Sequence, residues 1–250
     1  MSQNVWITGG GAGIGRALAL RLCRDGATVA ISGRTLASLQ EVQTAAQQLP
    51  GKVICLPLDV TDEAAVMAAP DAIEAKAGSL DLVVLNAGTH QPMHAADFSP
   101  AVVRKLIDVN VMGVTHGLAA VLPRFLDRRA GHIAVVSSVA GYRGLPSSAA
   151  YGATKAALIN MCESLKPELD EAGVTLSLVN PGFVRTPLTD KNEFEMPFLM
   201  EAEAAADRLA DGLASGRFEI TFPRRFTWML KLFRCLPYFL YFRLTRRLLP

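Results

Sequence analysis

Short apolar runs alternate with longer stretches of helical period along the first 220 residues. Val5-Trp6-Ile7-Thr8 reads as a buried strand, and Ile14 to Asp25 as a helix closed by Gly26. Thr28 to Ser32 gives a second strand, and Leu36 to Leu49 a helix stopped by Pro50-Gly51. Val53 to Leu58 is the third strand, followed by a helix from Asp62 to Ala77 that Pro70 should bend. Asp81 to Asn86 is the fourth strand, and one or two long helices fill about Pro100 to Arg129. His132 to Ser137, Val174 to Val179 and Phe218 to Thr221 read as further strands, with a helix from Ala149 to Ala172. Apolar strands set between helices imply a parallel sheet covered on both faces. The expected fold is α/β, a single-domain doubly wound parallel sheet.

Composition narrows this picture. A chain of 250 residues suffices for one α/β domain with a large core. Half the residues are hydrophobic and 19% are charged, which excludes a disordered chain. Cys23, Cys55, Cys162 and Cys235 form no C-x-x-C pair, so a reducing compartment and no zinc site are expected. The start, Met1-Ser2-Gln3-Asn4, has no basic n-region, and a cytoplasmic protein is expected. No apolar run reaches about 18 residues, so no membrane-spanning helix is expected.

The net charge of +2 hides an asymmetry. Residues 223–250 hold Arg224, Arg225, Lys231, Arg234, Arg243, Arg246 and Arg247 and no acid, which leaves −5 for residues 1–222. This division separates a body, 1–222, from a basic, aromatic amphipathic tail, 223–250. Read as a helix, the tail puts Arg224, Thr227, Lys231 and Arg234 on one face. Phe226, Met229, Leu230, Phe233 and Leu236 fall on the other, and Pro237 breaks the helix before a second aromatic, basic piece. Such a helix can cover the body or a sister subunit, or lie in a membrane interface. Its aromatic residues and leucines suit these contacts better than nucleic acid.

Two local patterns carry chemistry. The first is the turn Thr8-Gly9-Gly10-Gly11-Ala12-Gly13-Ile14-Gly15, which follows the first strand and opens the first helix. Glycines let the backbone turn tightly and approach a pyrophosphate, which the helix N-terminus then binds. This makes the sheet a Rossmann-type one and implies a dinucleotide. The second pattern is Tyr151-Gly152-Ala153-Thr154-Lys155, thirteen residues after Ser138. Positions i and i+4 of a helix share a face, so phenol and ammonium can point into one site. A cation about 5 Å away, at an effective dielectric of about 20, is worth roughly 3 kcal/mol, or about two pKa units. That would bring a phenol, normally near 10, toward working pH.

The second strand ends Ile31-Ser32-Gly33-Arg34, without the acid that binds ribose hydroxyls in NAD sites. Arg34 could pair with a 2′-phosphate, which favours NADP(H); NAD(H) stays open.

These pieces resemble the short-chain dehydrogenase/reductase family over about residues 3 to 222. The matching segments are Thr8-Gly9-x-x-x-Gly13-Ile14-Gly15, Asp59-Val60, Asn86-Ala87-Gly88, Asn110, Ser137-Ser138, Tyr151-x-x-x-Lys155 and Pro181-Gly182-x-x-x-Thr186. The resemblance implies that Tyr151 is the general acid/base and that Lys155 lowers its pKa and holds the nicotinamide ribose. It implies further that Ser138 hydrogen-bonds the substrate oxygen and that Asn110 positions a water leading to Lys155. Asp59 and Val60 would flank the adenine, and Asn86, Ala87 and Gly88 would line the cofactor cleft. Pro181, Gly182, Val184 and Thr186 would hold the carboxamide end. Two departures stand out. Ala12 occupies a place where NADP enzymes of the family often carry a basic residue, and Lys166-Pro167 should interrupt the helix beyond Lys155.

His90 and His94 stand four apart, but no third ligand accompanies them, so a cleft wall or an exposed loop is expected and no metal. Phe194, Met196, Pro197, Phe198, Leu199 and Met200 fall in the region that forms the substrate lid in the resembled family, and they suit a bulky apolar ligand. The expected activity is hydride transfer between the nicotinamide and an apolar carbonyl or alcohol. A small polar alcohol or sugar, or a non-catalytic nucleotide-sensing scaffold, are the competing readings. The expected partners are that small molecule and further copies of the chain, as a homodimer or homotetramer. A membrane surface is the other expected contact of residues 223–250, and no nucleic acid is expected.

Overall fold

The computed structural model describes residues 3–191 and 196–248. Seven strands form one sheet: β1 (Asn4–Thr8), β2 (Thr28–Gly33), β3 (Lys52–Pro57), β4 (Leu82–Leu85), β5 (His132–Val136), β6 (Thr175–Pro181) and β7 (Glu219–Phe222). Their order is β3-β2-β1-β4-β5-β6-β7 and every pairing is parallel. Alternation along each strand feeds two cores. Val5 and Ile7 of β1 point into one, and Trp6 into the other.

The first core is closed by α1 (Gly13–Arg24), α2 (Leu36–Ala45) and α7 (Ala202–Ala214), through Leu18, Leu39, Val42 and Leu209. The second is closed by α3 (Glu63–Ala77), α5 (Gly113–Asp127) and α6 (Ala149–Glu171), through Val66, Ile73, Val121, Phe125 and Leu158. α7 is an addition to the elements expected from the sequence. α2 ends at Ala45, ahead of Pro50-Gly51.

Two prolines do less than expected. Inside a helix a proline costs about 3 kcal/mol. α3 runs through Pro70 unbroken, with Val66 and Ile73 fully buried on either side. Their burial at about 1.5–3 kcal/mol each offsets the cost. α6 also continues through Pro167, so Lys166-Pro167 does not interrupt it. Cys162 and Leu169 are buried and pin both halves, while Glu163, whose carbonyl loses its partner, faces solvent.

α4 (Pro100–Ile107), a π-turn at Asp108–Met112 and α5 form one helical run. In contrast to the expectation from the sequence, this run, Pro100–Asp127, is long and apolar enough to cross a bilayer by length and composition. Half of its most apolar stretch is buried, with Leu106, Val114, Val121 and Phe125 facing the interior. It serves as a core helix flanking the sheet.

The tail folds as α8 (Arg224–Arg234) and α9 (Tyr238–Thr245), divided near Pro237. Its facing differs from the expected division. Phe226 is buried, but so is Thr227, whose hydroxyl reaches Thr221 Oγ1 at 3.2 Å. Lys231 pairs with Glu219 of β7. Of the stripe expected to be polar, Thr227 and Lys231 therefore meet the body, where β7 offers a hydroxyl and a carboxylate, while Arg224 and Arg234 stay exposed.

Candidate active site

The strand sequence reverses beside β1, which has β2 on one side and β4 on the other. The carboxyl ends of β1 and β4 therefore open a crevice, the usual ligand position of such sheets. The glycine turn crosses its floor. Gly9 and Gly13 take left-handed backbone, with φ of 68° and 54°. A Cβ on Gly9 would lie 2.8 Å from Ala87 Cα, and one on Gly15 would lie 2.3 Å from the Gly9 carbonyl. α1 begins without a side-chain cap and without an acid in its first turn. Its free N–H groups and positive dipole end are thus left for an anion, which fits a dinucleotide's phosphates. Ile14 packs back onto the core.

Thr8 and Asn86 bind the strand ends together. Thr8 Oγ1 accepts from the backbone N–H of Asn86 at 3.0 Å and of Ala87 at 3.1 Å. The Asn86 amide donates to the Thr8 and Gly9 carbonyls at 3.0 and 3.1 Å. Asn86 therefore fixes the shape of the glycine turn. At the rim, Arg34 is exposed and forms no ion pair among the described residues. Asp59 Oδ1 accepts from the Thr61 N–H and hydroxyl, which shapes the turn after β3, and Val60 is buried against Gly113.

Behind the crevice stand Asn110, Ser138, Tyr151 and Lys155. Asn110 is fully buried in the π-turn; its Oδ1 accepts from Thr89 N–H at 2.7 Å and its amide donates to Thr89 O and Thr154 Oγ1. Thr89 and Thr154, which the sequence motifs did not single out, thus hold Asn110 in place. A Cβ on Gly88 would lie 3.4 Å from Asn110 Oδ1 and 3.6 Å from Lys155 Nζ, so both groups face the same small space. Lys155 Nζ donates to the Val136 carbonyl at 2.9 Å and lies 5.7 Å from the centre of the Tyr151 ring. Ser138, just past β5, accepts from the Ala140 N–H at 3.1 Å and donates to the Pro181 carbonyl at 3.5 Å. The His90 ring meets the Tyr151 ring edge-on at 4.6 Å, which makes His90 a wall of the site. His94 is exposed, and no group of three metal-binding side chains occurs among the described residues.

The electrostatics differ from the sequence expectation. Burial pushes the Tyr151 phenol up to about 12, against a lowering hydrogen bond from Ser138. Burial also lowers Lys155 to about 8. In this geometry desolvation outweighs the ammonium's pull, and the phenol is not drawn toward neutrality.

The segment after β6 closes the other side. Gly182 N–H donates to Phe222 O at 2.7 Å, Val184 is buried and bridges Met200, and Thr186 Cγ2 lies 3.0 Å from where a Cβ on Gly13 would be. The rings of Phe183 and Phe198 pack at a tilt against Phe226 of α8, with centroids 5.5 and 5.9 Å apart, so the tail contributes to this wall. Phe194 lies outside the described residues. Met196 and Leu199 are half-buried, and Pro197 is exposed.

The sheet, the glycine turn and the Tyr-x-x-x-Lys helix define a nicotinamide-dependent oxidoreductase. The comparisons agree. The model of the short chain dehydrogenase family matches residues 3–196. An uncharacterized oxidoreductase of Myxococcus xanthus is 41% identical over 242 residues, covering 97% of this chain and 96% of its own. That match takes in most of the tail. One from Staphylococcus epidermidis is 36% identical, covering 83% and 89%. Among solved structures, a short chain dehydrogenase/reductase from Burkholderia phymatum has a TM-score of 0.85 at 27% identity, covering 92% of each chain. ElxO has 0.78 at 26%, covering 88% and 98%. This chain belongs to the short-chain dehydrogenase/reductase family and is an NAD(P)-dependent oxidoreductase.

Proposed function

We propose that the chain interconverts a lipophilic ketone and its secondary alcohol with NADP(H), and that Tyr151 is the general acid/base. The observation that carries this reading is that Tyr151 and Lys155 share one side of α6, with the Lys155 ammonium 5.7 Å from the centre of the Tyr151 ring and the Ser138 hydroxyl acting on the phenol. When bound, the nicotinamide supplies or takes up the hydride. As negative charge develops on a ketone oxygen, Ser138 and Tyr151 donate hydrogen bonds to it, and Tyr151 passes its proton to it. A phenol held above its usual range stays protonated until that oxygen becomes strongly basic, which suits a proton donor. Lys155, near 8, can return a proton to the phenolate at neutral pH. Asn110 shares the space at Gly88 with Lys155 and would hold a water leading to it.

The described structures of similar fold carry NAD in the Burkholderia phymatum protein, NADP in ElxO and NADPH in a Sphingobium yanoikuyae dehydrogenase, so the choice falls to Arg34. A guanidinium at the ribose end of the crevice, with no competing carboxylate, favours a 2′-phosphate. Phe183, Phe198 and Met200 give the closing segment an apolar character that supports an apolar substrate. Following cofactor oxidation at 340 nm against aliphatic, aromatic and polyhydroxy ketones, with NADPH and NADH in turn, tests the reading. Turnover confined to polyhydroxy ketones, or to NADH, would contradict it.

A further inference from the structure

We propose that the outer surface of α8 and α9 docks on an anionic lipid bilayer, with its aromatic side chains entering the interface. Trp228, Leu232, Tyr238, Phe239 and Phe242 are 69%, 67%, 71%, 72% and 57% exposed. Helical spacing groups them with arginine: Arg224, Trp228 and Leu232 form one row of α8, and Phe239, Phe242 and Arg243 one face of α9, with Arg246 just beyond its end. Tyr241 and Thr245, on the opposite face of α9, are buried. The apolar side chains left outside are thus sorted away from those that hold the tail to the body.

The tail is seated firmly, so this face cannot simply turn inward. Arg143 donates to the carbonyls of Phe233, Arg234 and Leu236 at 2.6, 3.2 and 2.7 Å, and its guanidinium lies 3.9 Å from the centre of the Tyr241 ring. The Tyr241 hydroxyl donates to Gly144 O at 2.6 Å. Glu219 holds Lys231.

Charge identifies the occupant. Residues 223–250 contain no acid, and all six of their arginines are exposed. Two copies meeting through this surface about a two-fold axis would bring arginines against arginines. A bilayer bearing anionic headgroups takes both features at once, arginine at the phosphates and aromatic rings at the acyl boundary. This reading does not depend on the substrate.

Full-length protein is mixed with vesicles of phosphatidylcholine alone and of phosphatidylcholine with phosphatidylglycerol. The chain has two tryptophans, and Trp6 is fully buried, so an emission change reports Trp228. We expect sedimentation with the anionic vesicles, a blue shift of that emission, and quenching by lipids brominated in the acyl chains. Replacing Phe239→Ser and Phe242→Ser together should weaken partitioning about tenfold or more. Binding that high salt releases fully, without blue shift or quenching, would overturn insertion and with it the proposal. So would the absence of vesicle binding. A dimer in equilibrium sedimentation that the double variant dissolves, in protein that ignores vesicles, would assign the surface to a second copy instead.

Discussion

Removing the Glu219 carboxylate should loosen the joint that links the tail to β6 and to the segment after β5. Glu219 Oε1 accepts from the Tyr142 hydroxyl at 2.6 Å and from the Asn180 amide at 3.0 Å, while Oε2 pairs with Lys231. Tyr142 and Asn180 are buried, and Asn180 Oδ1 already has no hydrogen-bond partner among the described residues. Glu219→Ala strands both groups at about 1–3 kcal/mol each. Because the carboxylate side chain is 26% exposed, water recovers part of this, and a net loss of about 2–5 kcal/mol is expected. Glu219→Gln keeps an acceptor and loses mainly the ion pair, whose partners are 26% and 33% exposed, so about 1 kcal/mol is expected. Burial acts to raise the Glu219 carboxyl, but hydrogen bonds from Lys231, Tyr142 and Asn180 outweigh it and the net shift is downward. The stability it brings is therefore present above the ordinary value of 4.5 and is lost as pH falls below that. Urea unfolding of wild type and both variants at neutral pH and near pH 4 measures these terms. Equal stability of the Ala and Gln variants at neutral pH would refute the account of the stranded groups.

Three further outcomes are expected. Burial holds His132 at about 4, below its usual 6.5, so the unfolded chain takes up a proton first and stability falls as pH drops from 6.5 to 4. The loss is up to about 3 kcal/mol at pH 4, and His132→Gln should flatten that slope in urea unfolding. Gly15→Ala places a methyl 2.3 Å from the Gly9 carbonyl, so cofactor affinity should fall about 100-fold or more by calorimetry, or the fold should fail outright. Arg34→Asp should reverse the preference from NADPH to NADH in steady-state kinetics, and an unchanged ratio would remove Arg34 from cofactor choice.

The sheet was legible because its strands are apolar on both faces, and because glycine and proline punctuate the helices between them. The crevice was legible because a phosphate turn must use glycines at fixed offsets. What lay hidden depends on contacts distant in sequence. No local pattern shows that Thr89 and Thr154 hold Asn110, or that Tyr142 and Arg143 face the tail. The two faces of α8 separate less cleanly than helical spacing suggests: Phe226 and Leu230 meet the core, but Glu219 and Thr221 on β7 also draw Lys231 and Thr227 inward. The phenol's pKa was misjudged because spacing gives the distance to Lys155 but not the degree of burial.

The central claim is that the Tyr151 hydroxyl carries the proton. Tyr151→Phe, assayed for turnover at 340 nm and for cofactor binding by calorimetry, tests it most directly. Loss of the hydroxyl alone should lower kcat by about 100-fold or more, since acid–base catalysis contributes roughly 10²–10⁴-fold, and should leave cofactor affinity within about threefold of wild type. Retention of more than about a tenth of kcat would contradict the claim.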